Sequence, residues 1–308
     1  MGEMEKDERI PLILTPASPR SRWNRRIGVA AACLTSLQFS AFALFRTHLA
    51  RGACDATILA GSELLKLLSA LVGCALTGEW PVHINSWFEV LPLTLCFIAM
   101  NIIAMYCTTL VSASLFVVLM QLKLVFTTLL SLACLNRRFG LTKLLSLALI
   151  VVGCVTSSHT SSDTKGGVLI GICGLVLETF MSGASSVYAQ ALLSKANIWC
   201  RNVQLAAVSM LTYVIVIIPI DARCVRAPPR AMNWEDIILV LLSAMGGICV
   251  AFTLKYAGAV EKTVATSASI VLTTTFESLL SSSYPPFERG CGATIVLLAT
   301  LLYATAHE

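Results

Sequence analysis

A single lysine lies in the middle of a long apolar segment. The segment runs from Ser112 to Arg138, SASLFVVLMQLKLVFTTLLSLACLNRR, and contains Lys123 near its centre. A charge at mid-membrane depth costs about 2.5 to 3.5 kcal/mol on insertion scales, so it usually has a counter-charge, a polar cavity or an anionic ligand. Lys123 has no acidic residue within one helical turn. We therefore expect it to face a cavity and bind phosphate oxygens, for which an ammonium is a compact point charge.

Other polar side chains in apolar segments are candidates for the same site. Asn101 offers both a donor and an acceptor, as recognition of a nucleobase or a sugar edge requires. Asn202 follows Arg201 at the entry of another apolar segment, where Arg201 alone would be typical of a membrane-interface anchor. The hydroxyls of the run TSASIVLTTT, at 266 to 275, either line a cavity or bond back to carbonyls of their own helix.

A second intramembrane lysine has an acid at helical spacing. Glu63 precedes Lys66 by three residues, which places both side chains on one helix face. The pair can neutralise itself, so it is either a structural ion pair that orients its helix or a part of a substrate site.

The composition requires that a bilayer surrounds these residues. The chain has 308 residues, of which 56% are hydrophobic and 13% charged, and its mean hydropathy is +0.80. These values lie outside the range of soluble domains and indicate an integral membrane protein. Apolar runs of membrane-spanning length predict an all-α polytopic protein with ten transmembrane helices, at 27–48, 56–78, 87–107, 112–134, 141–158, 168–193, 203–220, 236–256, 263–283 and 290–306.

The ten predicted spans form two halves of five. We expect a cytosolic, disordered tail at 1–26, a first half at 27–158 and a second half at 159–308. Five spans per half make the halves inverted in the membrane, as in secondary transporters, whose substrates bind near the midplane where repeats meet. Arginines before the first span place the N-terminus in the cytosol by the positive-inside rule, and an even span count places the C-terminus there too.

The residues outside the predicted spans, and the residue types within them, exclude several classes of function. No soluble catalytic domain fits between them, and no nucleophile, base and orienting group lie at matching depth, so we predict that the chain is not an enzyme. The basic residues lie at membrane flanks, which predicts no nucleic-acid binding. The twelve cysteines lack metal-ligand spacing, so we expect no metal and no cofactor, although Cys54 and Cys224 lie in loops where they could pair.

Three stretches carry a resemblance to a known family. They are SASLFVVLMQLKLVFTTLLSLACLNRRF, SGASSVYAQALLSKANIWCRNVQL and GGICVAFTLKYAGAVEKTVATSASIVLTTT. In the order and spacing of QLK, LNR, VY, RN and KY, the chain resembles the Golgi nucleotide-sugar transporters that carry CMP-sialic acid, UDP-galactose and UDP-N-acetylglucosamine. This branch belongs to the drug/metabolite transporter superfamily. The resemblance implies a ten-helix antiporter in the Golgi membrane that exchanges a cytosolic nucleotide sugar for a luminal nucleoside monophosphate.

The resemblance also implies roles for individual residues. Lys123 and Lys262 would hold the phosphates, while Asn101 and Asn202 would contact the base or ribose. Tyr188 would shape the pocket together with Phe116, which stands where the family usually has a tyrosine and could still stack on a base.

The chain departs from the family pattern at three further positions. Met100 and Ile102 flank Asn101 where the family usually has amides, and Gln190 stands where an acid is usual. The loss of two amides reduces hydrogen bonding to the ligand, so the resemblance does not determine the identity of the substrate.

Three hypotheses follow. The leading one is an antiporter of a pyrimidine nucleotide sugar, a UDP-sugar or CMP-sialic acid, with the bilayer and possible further copies of the chain as its other partners. The second is a transporter of another organic anion or metabolite on the same fold. The third is a non-transporting membrane scaffold, which would have no use for intramembrane charge.

Overall fold

The chain is described here from a computed structural model. The structure describes residues 22–48, 55–80, 84–110, 119–120, 122–135, 139–157, 168–194, 197–220, 233–281 and 287–306. Phe116, Cys54 and Cys224 lie outside these residues, as does the tail up to residue 21. The helices are α1 Arg22–His48, α2 Asp55–Thr77, α3 Ile84–Leu110, α4 Leu122–Cys134, α5 Leu141–Ser157, α6 Val168–Ser194, α7 Ile198–Thr212, α8 Trp234–Tyr256, α9 Ala259–Ser281 and α10 Phe287–Thr305. A π-helical turn, Tyr213–Ile217, extends α7 into Ile218–Ile220.

Throughout its described residues the chain is helical or in short turns, with no strand. Four described helices are long and apolar enough to cross a bilayer, over Ala56–Thr77, Leu169–Ser194, Ile198–Ile217 and Trp234–Tyr256, and shorter apolar helices accompany them. The class of all-α membrane protein agrees with the sequence prediction, whereas the count of ten spans and the inverted halves stay predictions. The first helix begins at Arg22, before the predicted start at residue 27, because the arginines that precede the apolar run are good helix formers.

The surface is apolar, as a lipid-facing surface must be. Leu76 is 83% exposed, and Leu141 and Leu169 are each 73% exposed. In water such exposure would favour association, whereas lipid tails solvate it. Many buried hydroxyl groups are satisfied within their own helix. In α9 the hydroxyls of Thr266 and Ser269 donate to carbonyls three residues earlier in the same helix. For these two residues the back-bonding reading of the hydroxyl run is confirmed.

Helices pack in a pattern that alternates between the two predicted halves. The first helix, α1, packs against α8 and α9, and α6 packs against α3 and α4. Two further pairs, α2 with α7 and α5 with α10, join helices that occupy the same position in each half. An apolar cluster between α4, α5, α9 and α10 contains Leu124, Ile150, Val260 and Val296, each fully buried. Long-range packing between the halves therefore holds the bundle together.

Candidate functional site

Lys123 and Lys262 lie beside each other inside the bundle. Lys123 is near the start of α4, and Lys262 is in the first turn of α9. The neighbouring Leu124 packs in one cluster with Val260 and Val264, so the two helices converge at the lysines. The two side chains lie close enough to interact electrostatically. Lys262 is only 8% exposed and Lys123 is half-buried, so the two cations that sequence reasoning assigned to phosphate share one interior site.

A carboxylate from a third helix joins the two lysines. Glu178 of α6 is 4% exposed and interacts electrostatically with both Lys123 and Lys262. Its Oε2 atom is buried and has no hydrogen-bond partner among the described residues. The expectation that Lys123 has no acidic partner is therefore wrong. The sequence offers no acid within one helical turn of Lys123, whereas Glu178 comes from α6.

Close contact between α4 and α6 explains how Glu178 reaches the lysines. A Cβ atom built on Gly183 would lie 3.0 Å from the backbone nitrogen of Thr127, so the two helix backbones nearly touch there. One turn away, Phe126 and Phe180 meet edge to face with ring centroids 5.5 Å apart. Lys123 and Glu178 precede these contacts by about one turn on their respective helices. The only signal in the sequence was an acid within an apolar run, which is as unusual as the lysine.

The three charges define what the site can do. With all three groups ionised, two cations face one anion, and the excess positive charge lies where solvation is poor. Buried charges of this kind are stabilised by a ligand of opposite sign. An anionic ligand would match this arrangement, and two ammonium groups are suitable donors for one.

Tyr188 and Asn202 have their described contacts elsewhere. The Tyr188 hydroxyl donates to the backbone carbonyl of Glu89 at 2.7 Å, and Tyr188 lies about 15 Å along α6 from Glu178 at the usual helical rise. Asn202 is 4% exposed and donates its amide to the Ile198 carbonyl of its own helix at 2.9 Å. The structure brings the two lysines together but does not show these two side chains beside them.

A polar cluster joins α3, α6 and α7 near Tyr188. Arg201 is 6% exposed, forms an ion pair with the Glu89 carboxylate and donates to Gln204 Oε1 at 3.1 Å. Together with the Tyr188 bond to Glu89, these contacts connect the three helices. Arg201 is thus tied to neighbouring helices inside the protein, which differs from a simple interfacial anchor.

Near the other predicted site residues, the structure describes α3 only in part. Asn101 lies in α3, but its side chain is outside the described residues. The adjacent Met100 is buried, and its sulfur is 3.8 Å from the Ser185 hydroxyl and 3.9 Å from the Cys96 thiol. Met100 of α3 therefore faces α6, which is the helix that carries Glu178.

Gln190 has a role that the sequence comparison did not suggest. Its Oε1 atom accepts a hydrogen bond of 2.7 Å from the backbone nitrogen of Ala259, the first residue of α9. Both residues are buried. The amide satisfies one of the free N–H groups at this helix start, one turn before Lys262. The replacement of an acid by Gln190 thus retains an acceptor that positions α9.

The Glu63 and Lys66 pair forms a second polar contact in α2. Lys66 Nζ is 2.7 Å from Glu63 Oε1. The alkyl chain of Lys66 crosses Gly247 of α8, where a Cβ atom would lie 2.5 Å from Lys66 Cδ. This pair connects α2 to α8. Its two alternative roles, as a structural ion pair or as a part of a substrate site, stay predictions. Within the described ranges, no three His, Cys, Asp or Glu side chains are arranged to hold a metal ion.

Comparison with known proteins gives independent evidence on the family of this chain. A family model described as nucleotide-sugar transporter matches residues 82–304. The UDP-N-acetylglucosamine transporter of Homo sapiens is 30% identical over 195 residues, which cover 59% of this chain and 60% of the relative. The UDP-galactose transporter of Schizosaccharomyces pombe is 28% identical over 230 residues, 71% of this chain and 65% of the relative. The chain thus matches about three fifths of the length of its mammalian relatives.

A solved structure supports the fold. A protein of known crystal structure superposes with a TM-score of 0.73 at 12% identity, over 92% of this chain and 99% of the other. At this identity the likeness concerns the fold alone. It indicates that the arrangement of helices described above also occurs in a solved structure.

Proposed function

Because the chain belongs to the nucleotide-sugar transporter family, we propose that it exchanges a cytosolic pyrimidine nucleotide sugar for a luminal nucleoside monophosphate across the Golgi membrane. The observation that carries this proposal is the pair of interior lysines, Lys123 and Lys262, which the fold brings together from two halves. A family of transporters also agrees with the prediction that the chain is not an enzyme. Both termini would lie in the cytosol.

The names of the relatives support the substrate class. They are transporters of UDP-N-acetylglucosamine, of UDP-galactose, or of both. Both sugars are linked to a pyrimidine nucleotide through a diphosphate, which two ammonium groups can bind. A nucleoside monophosphate keeps a phosphate and the base, so it would compete for the same two lysines.

The packing pattern supports alternating access between two inverted halves. If α1 to α5 correspond to α6 to α10, the contacts of α1 with α8 and α9 correspond to those of α6 with α3 and α4. The pairs α2 with α7 and α5 with α10 then correspond to themselves. This is the pattern that a two-fold axis in the membrane plane would produce. Under this correspondence Lys123 of α4 and Lys262 of α9 would lie on paired helices.

The remaining predicted residues would complete the pocket around the phosphates. Asn101 and Asn202 would bind the base or ribose, and Phe116 and Tyr188 would shape the walls. Movement of the helices between inward-open and outward-open states would have to bring Asn202 and Tyr188 nearer to the lysines than in the state described here.

A second candidate function has an observation in its favour. Glu178 lowers the positive charge of the site, which favours another organic anion that carries less charge than a diphosphate. A non-transporting scaffold is disfavoured, because a scaffold has no use for three buried charges whose desolvation costs several kcal/mol per ion.

Uptake into proteoliposomes tests the proposal. Vesicles that hold the purified chain and are preloaded with UMP or CMP are offered labelled UDP-, CMP- and GDP-sugars. We expect one pyrimidine nucleotide sugar to enter preloaded vesicles faster than it enters empty vesicles. Lys123→Ala should lower this exchange at least about tenfold, the loss expected for a charged contact to phosphate.

A matched lysine variant controls for damage to the fold. Lys143 lies in the first turn of α5, with Nζ 5.7 Å from the Tyr303 ring centroid. Lys143→Ala should exchange at close to the wild-type rate. Folded protein that takes up no nucleotide sugar would contradict the proposal and favour the other organic anion.

A further inference from the structure

We propose that Glu178 is a resident counter-anion that competes with the phosphates of the ligand for Lys123 and Lys262, and so determines how much negative charge the site favours. This inference rests on the proposed function for the identity of the nucleotide. Its electrostatic part concerns any phosphate-type anion at the two lysines.

Burial and contact geometry place Glu178 in competition with a ligand. Its carboxylate acts on both lysines, yet its Oε2 atom has no hydrogen-bond partner within the described residues. A buried carboxylate in which one oxygen lacks a hydrogen bond depends on nearby cations for its stabilisation. Any phosphate bound by the same two ammonium groups would lie close to this carboxylate, so the bound state contains a repulsion between like charges.

The surroundings of Glu178 offer little other compensation. The groups that face it from the packed helices are Lys123 of α4, Lys262 of α9, and the thiols of Cys96 and Cys107 in α3. Neutral thiols are weak donors. The lysines are therefore the only described cations that act on the carboxylate, and a ligand that engages both of them withdraws their stabilisation from Glu178.

A charge count shows the consequence for ligand choice. Two lysines alone would balance a ligand with two negative charges, such as a nucleoside diphosphate sugar. With Glu178 ionised, the two lysines and the carboxylate together carry one positive charge, so the site balances a ligand with a single negative charge. Glu178 would thus weaken the binding of a dianion relative to that of a singly charged phosphate ester, whereas a neutral nucleoside would not be affected.

Binding to purified protein in detergent tests the counter-anion. The probes are inorganic pyrophosphate, UMP, a UDP-sugar and uridine, each measured by calorimetry on wild type and on Glu178→Gln, which keeps the shape and removes the charge. We expect pyrophosphate and UDP-sugar to bind about tenfold more tightly to the variant, or more, because one like charge at short range is removed. Uridine, which carries no phosphate, should bind equally to both.

Two further variants keep the test decisive. Glu261→Gln removes one negative charge from the first turn of α9, next to Lys262 in sequence but on another helix face, and it should leave pyrophosphate affinity unchanged. Glu178→Asp keeps the charge and draws it back by one methylene, so its pyrophosphate affinity should lie between wild type and Glu178→Gln. It replaces Glu178→Gln if that variant does not fold.

The outcomes separate this inference from the proposed function. Pyrophosphate affinity that is equal or lower in the Glu178 variants, or undetectable in every protein, would overturn the counter-anion. An equal gain in Glu261→Gln would overturn it too, because the effect would then follow net charge. If pyrophosphate binds more tightly as expected while no nucleotide binds to any variant, the counter-anion stands and the proposed nucleotide-sugar function fails.

Discussion

At the scale of single residues, Arg201 shows how a buried cation is held by an acid of a neighbouring helix and an amide of its own helix. Its guanidinium pairs with Glu89 of α3 and donates to Gln204 of α7. Glu89 also receives the Tyr188 hydroxyl on its backbone carbonyl. The side chain of Arg201 is 8% exposed and that of Glu89 is 52% exposed. Water therefore reaches the Glu89 carboxylate and weakens the ion pair there, while the guanidinium stays buried. Arg201 is therefore expected to contribute mainly to stability.

This arrangement predicts the cost of removing the arginine. Arg201→Ala should destabilise the protein by about 1 to 3 kcal/mol, because a largely buried donor set is lost and Gln204 loses a partner. Glu89→Gln should cost less, about 1 kcal/mol or below, because half of that side chain is already in solvent. Thermal unfolding in detergent measures both. Unchanged melting in Arg201→Ala would show that the pair does not support the fold.

Single residues also show how far the sequence determined the site. Lys123 could be chosen from the sequence because a lysine in an apolar run is costly wherever the run folds. Lys262 directly precedes the predicted span at 263–283, and the family resemblance implied its role. Glu178 carries the same signal, but its partnership depends on the approach of α4 and α6 at Gly183. Tyr188 and Asn202 illustrate the converse. Their residue types suit a ligand, yet in this structure their described hydrogen bonds are to Glu89 and Ile198.

At the scale of elements, the start of α9 depends on a side chain from another helix. Gln190 of α6 accepts the Ala259 backbone N–H, and Ala259 is fully buried. The preceding Gly258 has a φ of 128°, a conformation that favours glycine, and it allows the sharp turn from α8 into α9. Lys262 follows within one turn, so this contact positions a lysine of the site.

Removing the acceptor should therefore loosen α9. Gln190→Ala leaves a buried N–H without its partner, which should destabilise the protein by about 1 to 3 kcal/mol. Gln190→Glu keeps an acceptor at a helix N-terminus, where negative charge is favourable, and should retain most of the stability. Thermal unfolding gives the energies, and amide hydrogen exchange at Ala259 locates the change. If Ala259 exchanges equally in wild type and Gln190→Ala, the hydrogen bond does not hold the helix start.

The elements themselves were predictable to differing degrees. Apolar runs located the described helices to within a few residues, because every backbone group in lipid must be paired within its own helix. The start of α1 at Arg22 and the π-helical turn at Tyr213–Ile217 were not predicted. Hydropathy predicts which residues lie in the lipid, but it does not predict where helical hydrogen bonding ends. It therefore cannot show that a basic stretch next to a span is also helical.

At the scale of the whole molecule, α2 and α7, which belong to different predicted halves, pack against each other. Cys74 of α2 and Cys200 of α7 lie with their sulfur atoms 3.8 Å apart, near the end where α2 finishes and α7 begins. A disulfide needs a sulfur separation of about 2.05 Å, so a small movement would allow a bond. Such a bond would tie the first half to the second at one end of the bundle.

Alternating access makes a definite prediction for this bond. If transport requires the halves to move against each other, oxidation of wild-type protein in proteoliposomes with copper phenanthroline should lower exchange several-fold, and dithiothreitol should restore it. Cys200→Ser should exchange normally and resist the oxidant, because it removes one partner and leaves Cys74 buried as a thiol. Exchange that continues at the full rate once mass spectrometry shows the Cys74 to Cys200 bond would mean that α2 and α7 do not separate during transport. The moving boundary would then lie between other helices, and the correspondence of α1 to α5 with α6 to α10 would describe the architecture of the carrier without describing its motion.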